Sequence, residues 1–130
     1  MLGPSSAAAE APFPTGKHTY PAAMPYPVFD EVIHEPHRLQ ICAYLVPVPG
    51  RDFGEVRDEM GLSDSALSKH LKALTSKGYT RLERGAREGR QVTTIVLTAA
   101  GREALCGHVA ELQRMARVVG ADRRTGLRTR

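Results

Sequence analysis

The segment Ser63-Asp64-Ser65-Ala66-Leu67-Ser68-Lys69-His70-Leu71-Lys72-Ala73-Leu74-Thr75-Ser76-Lys77-Gly78 constrains the fold more than any other part of the chain. Leu67, Leu71 and Leu74 recur at spacings of four and three, which lines up one apolar stripe on a helix. Ser63 supplies a hydroxyl for a free amide of the first turn, and Asp64 suits the positive end of the helix. Lys77 suits the negative end, and Gly78 can take the left-handed conformation that closes a helix. The opposite face carries Ser65, Ser68, Lys69, Lys72, Thr75 and Ser76, with no carboxylate after Asp64. A helix that is merely solvated mixes both signs of charge along its wet face. Short hydroxyls near the start and cations further along instead suit a helix entering a major groove, where short side chains approach base edges and lysines reach phosphates.

The distribution of charge points the same way. The chain has a net charge of +4, yet residues 1–62 hold four Lys/Arg against eight Asp/Glu. Residues 63–98 hold seven against three, and residues 99–130 again seven against three. Such a local excess of cations is what attracts a phosphate backbone. The 130 residues correspond to about one domain on a prior of ~150 residues each.

Residues 1–26 are rich in Pro, Ala, Ser and Gly, a composition that cannot offset its ordering entropy, so they are expected to form a disordered arm. Tyr20, Tyr26 and Phe29 can pin the end of that arm. The globular part is expected over 27–119. Pro27 to His34 reads as a short helix, Pro36 opens a second through Leu39, Ile41, Cys42, Leu45 and Val46, and Pro47-Val48-Pro49-Gly50 ends it. Phe53 to Met60 reads as a third helix closed by Gly61, with Leu62 and Ser63 leading straight into helix 64–77. Two helices joined by so short a turn form a helix-turn-helix. Tyr79 to Arg84 and Gln91 to Leu97 then read as a hairpin around a flexible basic loop, 85–90, making a wing, 84–91, whose Arg84, Arg87 and Arg90 can touch a phosphate backbone or minor groove. Thr98 caps a last helix, 99–119, on which Leu105, Val109, Leu112, Met115, Ala116 and Val119 form a dimerisation seam. Gly120 is expected to end that helix, and 120–130 to be a flexible basic tail.

This order of elements resembles the winged-helix bacterial transcription regulators of the MarR and ArsR superfamilies. The stretches that carry the resemblance are Pro36-His37-Arg38-Leu39-Gln40-Ile41, Phe53-Gly54-Glu55-Val56, Gly61 to Leu74, Lys77-Gly78-Tyr79 and Leu97-Thr98-Ala99-Ala100-Gly101, covering roughly residues 28–119. It implies a mainly α fold with a small β-hairpin, a winged helix-turn-helix with a long C-terminal dimerisation helix. It further implies a homodimer on double-stranded DNA, with Asp64, Ser65, Ser68 and Lys69 facing bases or nearby phosphates. His70, Lys72, Arg84, Arg87 and Arg90 would meet the backbone. The chain lacks the paired cysteines of the metal-sensing ArsR proteins at Glu55-Val56-Arg57-Asp58, and Cys42 lies in an apolar rather than an electropositive setting.

Other functions have weaker signatures. Cys42 and Cys106 are too few for a zinc or disulfide framework, and both are expected to pack as small apolar residues. His34-Glu35-Pro36-His37 has no evident further ligand, so no metal or cofactor is expected. His108 lies opposite the seam and is expected in solvent, while His70 is expected either to meet a phosphate or to pack beneath the wing. No nucleophile elbow or phosphate-cradling loop points to an enzyme. No apolar run reaches the ~20 residues of a membrane span and no secretory leader is evident, so a cytoplasmic protein is expected. Two alternatives stay open: a winged helix that engages another protein, and a sensor with a small-molecule effector or redox input.

Overall fold

A computed structural model describes residues 26–129, with side chains as far as Asp122. The proline-rich arm, apart from Tyr26, lies outside the described residues, as do the side chains of the basic C-terminal segment. The helices are α1 (Glu31–His34), α2 (Pro36–Leu45), α3 (Phe53–Met60), α4 (Asp64–Ser76) and α5 (Ala99–Thr129). The strands are β1 (Arg51–Asp52), β2 (Thr80–Arg87) and β3 (Arg90–Leu97). They make an antiparallel sheet in the order β1-β3-β2. Asp30 to Leu105 forms one compact unit, and, of the described residues, 26–29 and those from Cys106 onward belong to the other.

The larger unit is built as its sequence patterns require. Ile33, Ile41, Cys42, Leu45, Val56, Leu67, Leu71, Leu74, Ile95, Leu97 and Leu105 meet in one buried cluster. α3 ends at Gly61 in the left-handed conformation, φ 66°, and the Leu62 amide returns to the Arg57 carbonyl at 3.0 Å. Ser63 then caps α4, its Oγ accepting from the Ala66 amide at 3.1 Å. Thr98 does two things at the exit of the hairpin. Its Oγ1 accepts from the Gly101 amide at 3.0 Å and donates to the Gly78 carbonyl at 2.6 Å. Gly101 has no room for a side chain, since a Cβ there would stand 2.1 Å from the Tyr79 carbonyl oxygen. The Leu-Thr-x-x-Gly exit thus locks the start of α5 onto the junction between α4 and β2.

Several expectations need correction. The short first helix begins only at Glu31, where Asp30 Oδ1 caps the Ile33 amide at 2.9 Å. The six-residue flexible loop is not formed. Gly85, Ala86 and Arg87 pair with Val92, Gln91 and Arg90, leaving a two-residue turn at Glu88-Gly89. Both turn residues have positive φ, 54° and 79°, as a turn matched to the twist of a hairpin requires. Strand β1, which pairs Arg51 with Ile95 and Asp52 with Thr94, is too short to announce itself in sequence. Gly120 does not stop α5, which runs on to Thr129. A lone glycine costs about 1 kcal/mol in a helix and ends it only by turning left-handed, which Gly120 does not do.

In the smaller unit the last residues before Asp30 run along α5. The Val28 amide donates to the Gly107 carbonyl at 2.9 Å, and the Phe29 ring meets His108 edge-on at 4.8 Å. His108 is therefore fully buried, against the expectation of solvent exposure. The segment that covers it lies some eighty residues earlier, beyond the reach of helical periodicity. Cys106 is exposed rather than packed, whereas Cys42 is buried as expected. Burial pushes the Cys42 thiol up to about 12, and the nearby Asp30 carboxylate adds to the effect.

Candidate nucleic-acid interface

α4 turns Leu67, Leu71 and Leu74 into the core and leaves Ser65, Ser68, Lys69, Lys72, Thr75 and Ser76 exposed. Lys69 and Lys72 make no ion pair among the described residues. Asp64 is engaged within the chain, because Arg57 Nη1 donates to its Oδ1 at 3.0 Å while Arg57 Nε donates to Asp58 at 2.9 Å. Its carboxylate thus stays on the first turn of α4, where the helix dipole favours it.

The strand period divides the wing. Alternate residues of β2 point to opposite faces, so Leu82 and Arg84 turn toward α4. There they line a groove of about 420 Å3 together with Ser68, Leu71, Lys72 and Thr75 of α4 and Phe53 of α3. Phe53, Leu71 and Leu82 bring apolar surface to it, and Lys72 and Arg84 bring positive charge from two different elements. The other parity goes elsewhere. Arg87 donates from both terminal nitrogens to Asp52, at 2.8 and 3.0 Å, and Arg81 pairs with Glu83 at 2.9 Å. Asp52 stands at the N-cap of α3 but makes no side-chain capping bond there. Arg90 is exposed and lies directly across from Arg87, where like charges repel, and Asp52 offsets that repulsion. Of the three wing arginines singled out in the sequence, only Arg84 therefore shares a groove with α4. Thr75 and Ser76 join that groove, and their place on the polar stripe of α4 was the signal for them.

His70 is half-buried, as one of its two expectations had it, but its neighbours are Glu35, His37 and Arg38 rather than the wing. Its Nδ1 lies 3.7 Å from Glu35 Oε1 and 3.4 Å from Arg38 Nη1, and its ring lies 5.3 Å from that of His37. Desolvation, the largest influence on the ring, holds its pKa below the ordinary histidine value, although Glu35 pulls the other way. Glu35 is itself the N-cap of α2, accepting from the Arg38 amide at 2.9 Å. Burial raises the Glu35 pKa, but the Arg38 amide, His70 and His37 together leave it below the usual carboxylate value. The view that Glu35 and His37 have no third ligand nearby is thus overturned by a residue more than thirty positions away.

Residues 37–116 match the family described as the winged helix DNA-binding domain. The chain belongs to that family. It is a family of DNA-binding domains, not of enzymes. The winged-helix protein is also 27% identical over 90 residues, 69% of its length, to uncharacterized protein MJ0432 of Methanocaldococcus jannaschii, covering 94% of that relative. Its fold is similar to that of a transcriptional regulator homologue from Pyrococcus horikoshii, with a TM-score of 0.64 at 20% identity over 68% of this chain and 87% of that one. A structure of the transcriptional repressor CouR bound to a 23-mer DNA duplex has the same fold, with a TM-score of 0.54 at 23% identity over 75% of this chain and 72% of that one. The winged helix-turn-helix expected over residues 28–119 is the fold observed. No helix among the described residues is long and apolar enough to cross a membrane.

Proposed function

We propose that this winged-helix protein is a cytoplasmic, dimeric regulator of transcription that binds a specific double-stranded DNA sequence and represses from it. α4 enters the major groove, with Ser65 and Ser68 near base edges and Lys69 and Lys72 on flanking phosphates. The wing follows the backbone with Arg84 and Arg90, and Arg87 joins them by exchanging Asp52 for a phosphate. The observation that supports this most is the convergence of Lys72 and Arg84, from helix and wing, on one groove beside the exposed hydroxyls of α4. Two cations from separate elements on one open surface suit a polyanion. CouR, a repressor of the same fold, is described on a DNA duplex, which favours the same mode here.

Dimerisation is assigned to the outer part of α5. Val109, Met115 and Val119 are 37%, 41% and 62% exposed, and Val118 beside them is 57% exposed. Leu112 and Ala116 continue the same stripe. Leu105 belongs to the core of the larger unit instead and leaves the seam. Two such dyad-related α4 helices would read half-sites about one helical turn apart, on the order of 34 Å.

The test is to select genomic fragments with the purified protein and to measure their affinity by mobility shift at moderate salt. One enriched, partly palindromic sequence is expected. Ser65→Ala or Ser68→Ala should alter its base preference. Failure to enrich any duplex would refute the reading, as would unchanged binding by a folded Lys69/Lys72/Arg87/Arg90 quadruple alanine variant.

A further inference from the structure

The geometry points to a metal site behind α4, in which Glu35, His37 and His70 bind a first-row divalent cation of the zinc type. These three residues each bring one donor atom within 4.8 Å of the others, and among the described residues they form the one such group. Glu35 holds the group together: its Oε2 lies 3.5 Å from His37 Nδ1 and its Oε1 lies 3.7 Å from His70 Nδ1. The first ligands come from the α1–α2 junction and the third from the middle of α4, so the fold rather than the sequence assembles them.

The chemistry of the donors narrows the ion. Two imidazoles and one carboxylate suit zinc, cobalt, nickel or copper, whereas magnesium and calcium prefer oxygen alone. Three protein ligands also leave a position for water, and the 43% exposure of the His37 side chain gives solvent access. Arg38 Nη1 stands 3.4 Å from His70 Nδ1, a loose contact that a metal ion can replace. The Arg38 side chain is anchored separately, through its Nε to the Val32 carbonyl at 2.6 Å. That anchor stays in place when the ion displaces Arg38 Nη1 from His70. Once bound, the ion ties α4 to the α1–α2 junction. Any effect on DNA affinity rests on the function proposed above, but metal binding does not.

The experiment uses the metal-free, untagged full chain and Zn2+ alone, in competition with a chromophoric chelator and with no DNA present. One equivalent should bind and raise the melting temperature by several degrees. His37→Gln should weaken binding at least about tenfold and abolish the melting shift, and His70→Gln should do the same. His37 is the more exposed of the two, so His37→Gln leaves the core alone and remains informative if His70→Gln fails to fold. Cys106→Ser should change nothing, and Co2+ should give visible bands without the near-ultraviolet absorption of a thiolate ligand. The site is wrong if zinc does not compete with the chelator. It is equally wrong if His37→Gln binds as tightly as the parent, or if binding requires Cys106.

Discussion

The cations of α4 and those of the wing are kept in opposite states. Lys69 and Lys72 stand on an exposed helix face with no anionic partner among the described residues. On the wing, Arg87 is clamped by Asp52 and Arg81 by Glu83, and Arg84 is the one whose side chain shares the groove with α4. The helix therefore presents its charge ready for an outside anion, whereas part of the wing must first release an inside one. That difference follows from geometry more than from composition. A helix carries one polar stripe, whereas a strand alternates, so Arg84 turns to α4 while Arg81 and Arg87 lie on the other face, where Glu83 and Asp52 reach them.

The largest expected effect removes the joint that holds the two regions together. Gly101→Ala drives a Cβ to 2.1 Å from the Tyr79 carbonyl, a backbone atom that cannot swing aside. Overpacking of this kind costs about 1–3 kcal/mol or more. For a domain of this size that lowers the melting temperature by roughly 4–8 °C per kcal/mol, readable by circular dichroism. An unchanged melting curve would show that the close approach is not real. A smaller effect separates the cap of α4 from its reading face. Ser63→Ala should cost about 1 kcal/mol by removing the bond to the Ala66 amide. Ser65→Ala should stay within about 0.5 kcal/mol in chemical denaturation. Equal costs at both positions would remove the distinction between structural and reading hydroxyls.

The smallest effects address the wing directly. Lys72→Ala should reduce the slope of log affinity against log salt by about 1, since a free lysine neutralises a whole phosphate. Arg87→Ala should reduce it by less, because Arg87 already has Asp52. Asp52→Asn releases Arg87 and should steepen the slope. If Arg87→Ala matched Lys72→Ala and Asp52→Asn changed nothing, the wing clamp would have no bearing on DNA.

How much of this was legible in sequence depended on how far apart along the chain the interacting residues lie. α3 from Phe53 to Met60, the Gly61 stop, the Ser63 cap and the inward leucines of α4 all follow from spacings of a few residues, and the structure reproduces them. The Thr98 cap was legible for the same reason. What escaped depends on distant parts of the chain. His108 is covered by Phe29, Arg87 is held by Asp52, and His70 is drawn to Glu35 and His37. The wing tip was a different kind of miss. The glycines at 85 and 89 suggested a loop, but only Gly89 takes positive φ, with Glu88 beside it, and Gly85 stays in the strand.

The most direct test of the exposed α4 face is the salt dependence of duplex affinity for a Lys69→Ala/Lys72→Ala variant whose circular dichroism matches the parent. The slope should fall by about 2, one for each phosphate that a lysine no longer neutralises. A slope equal to the parent's, with the fold intact, would mean that DNA is held by some other surface.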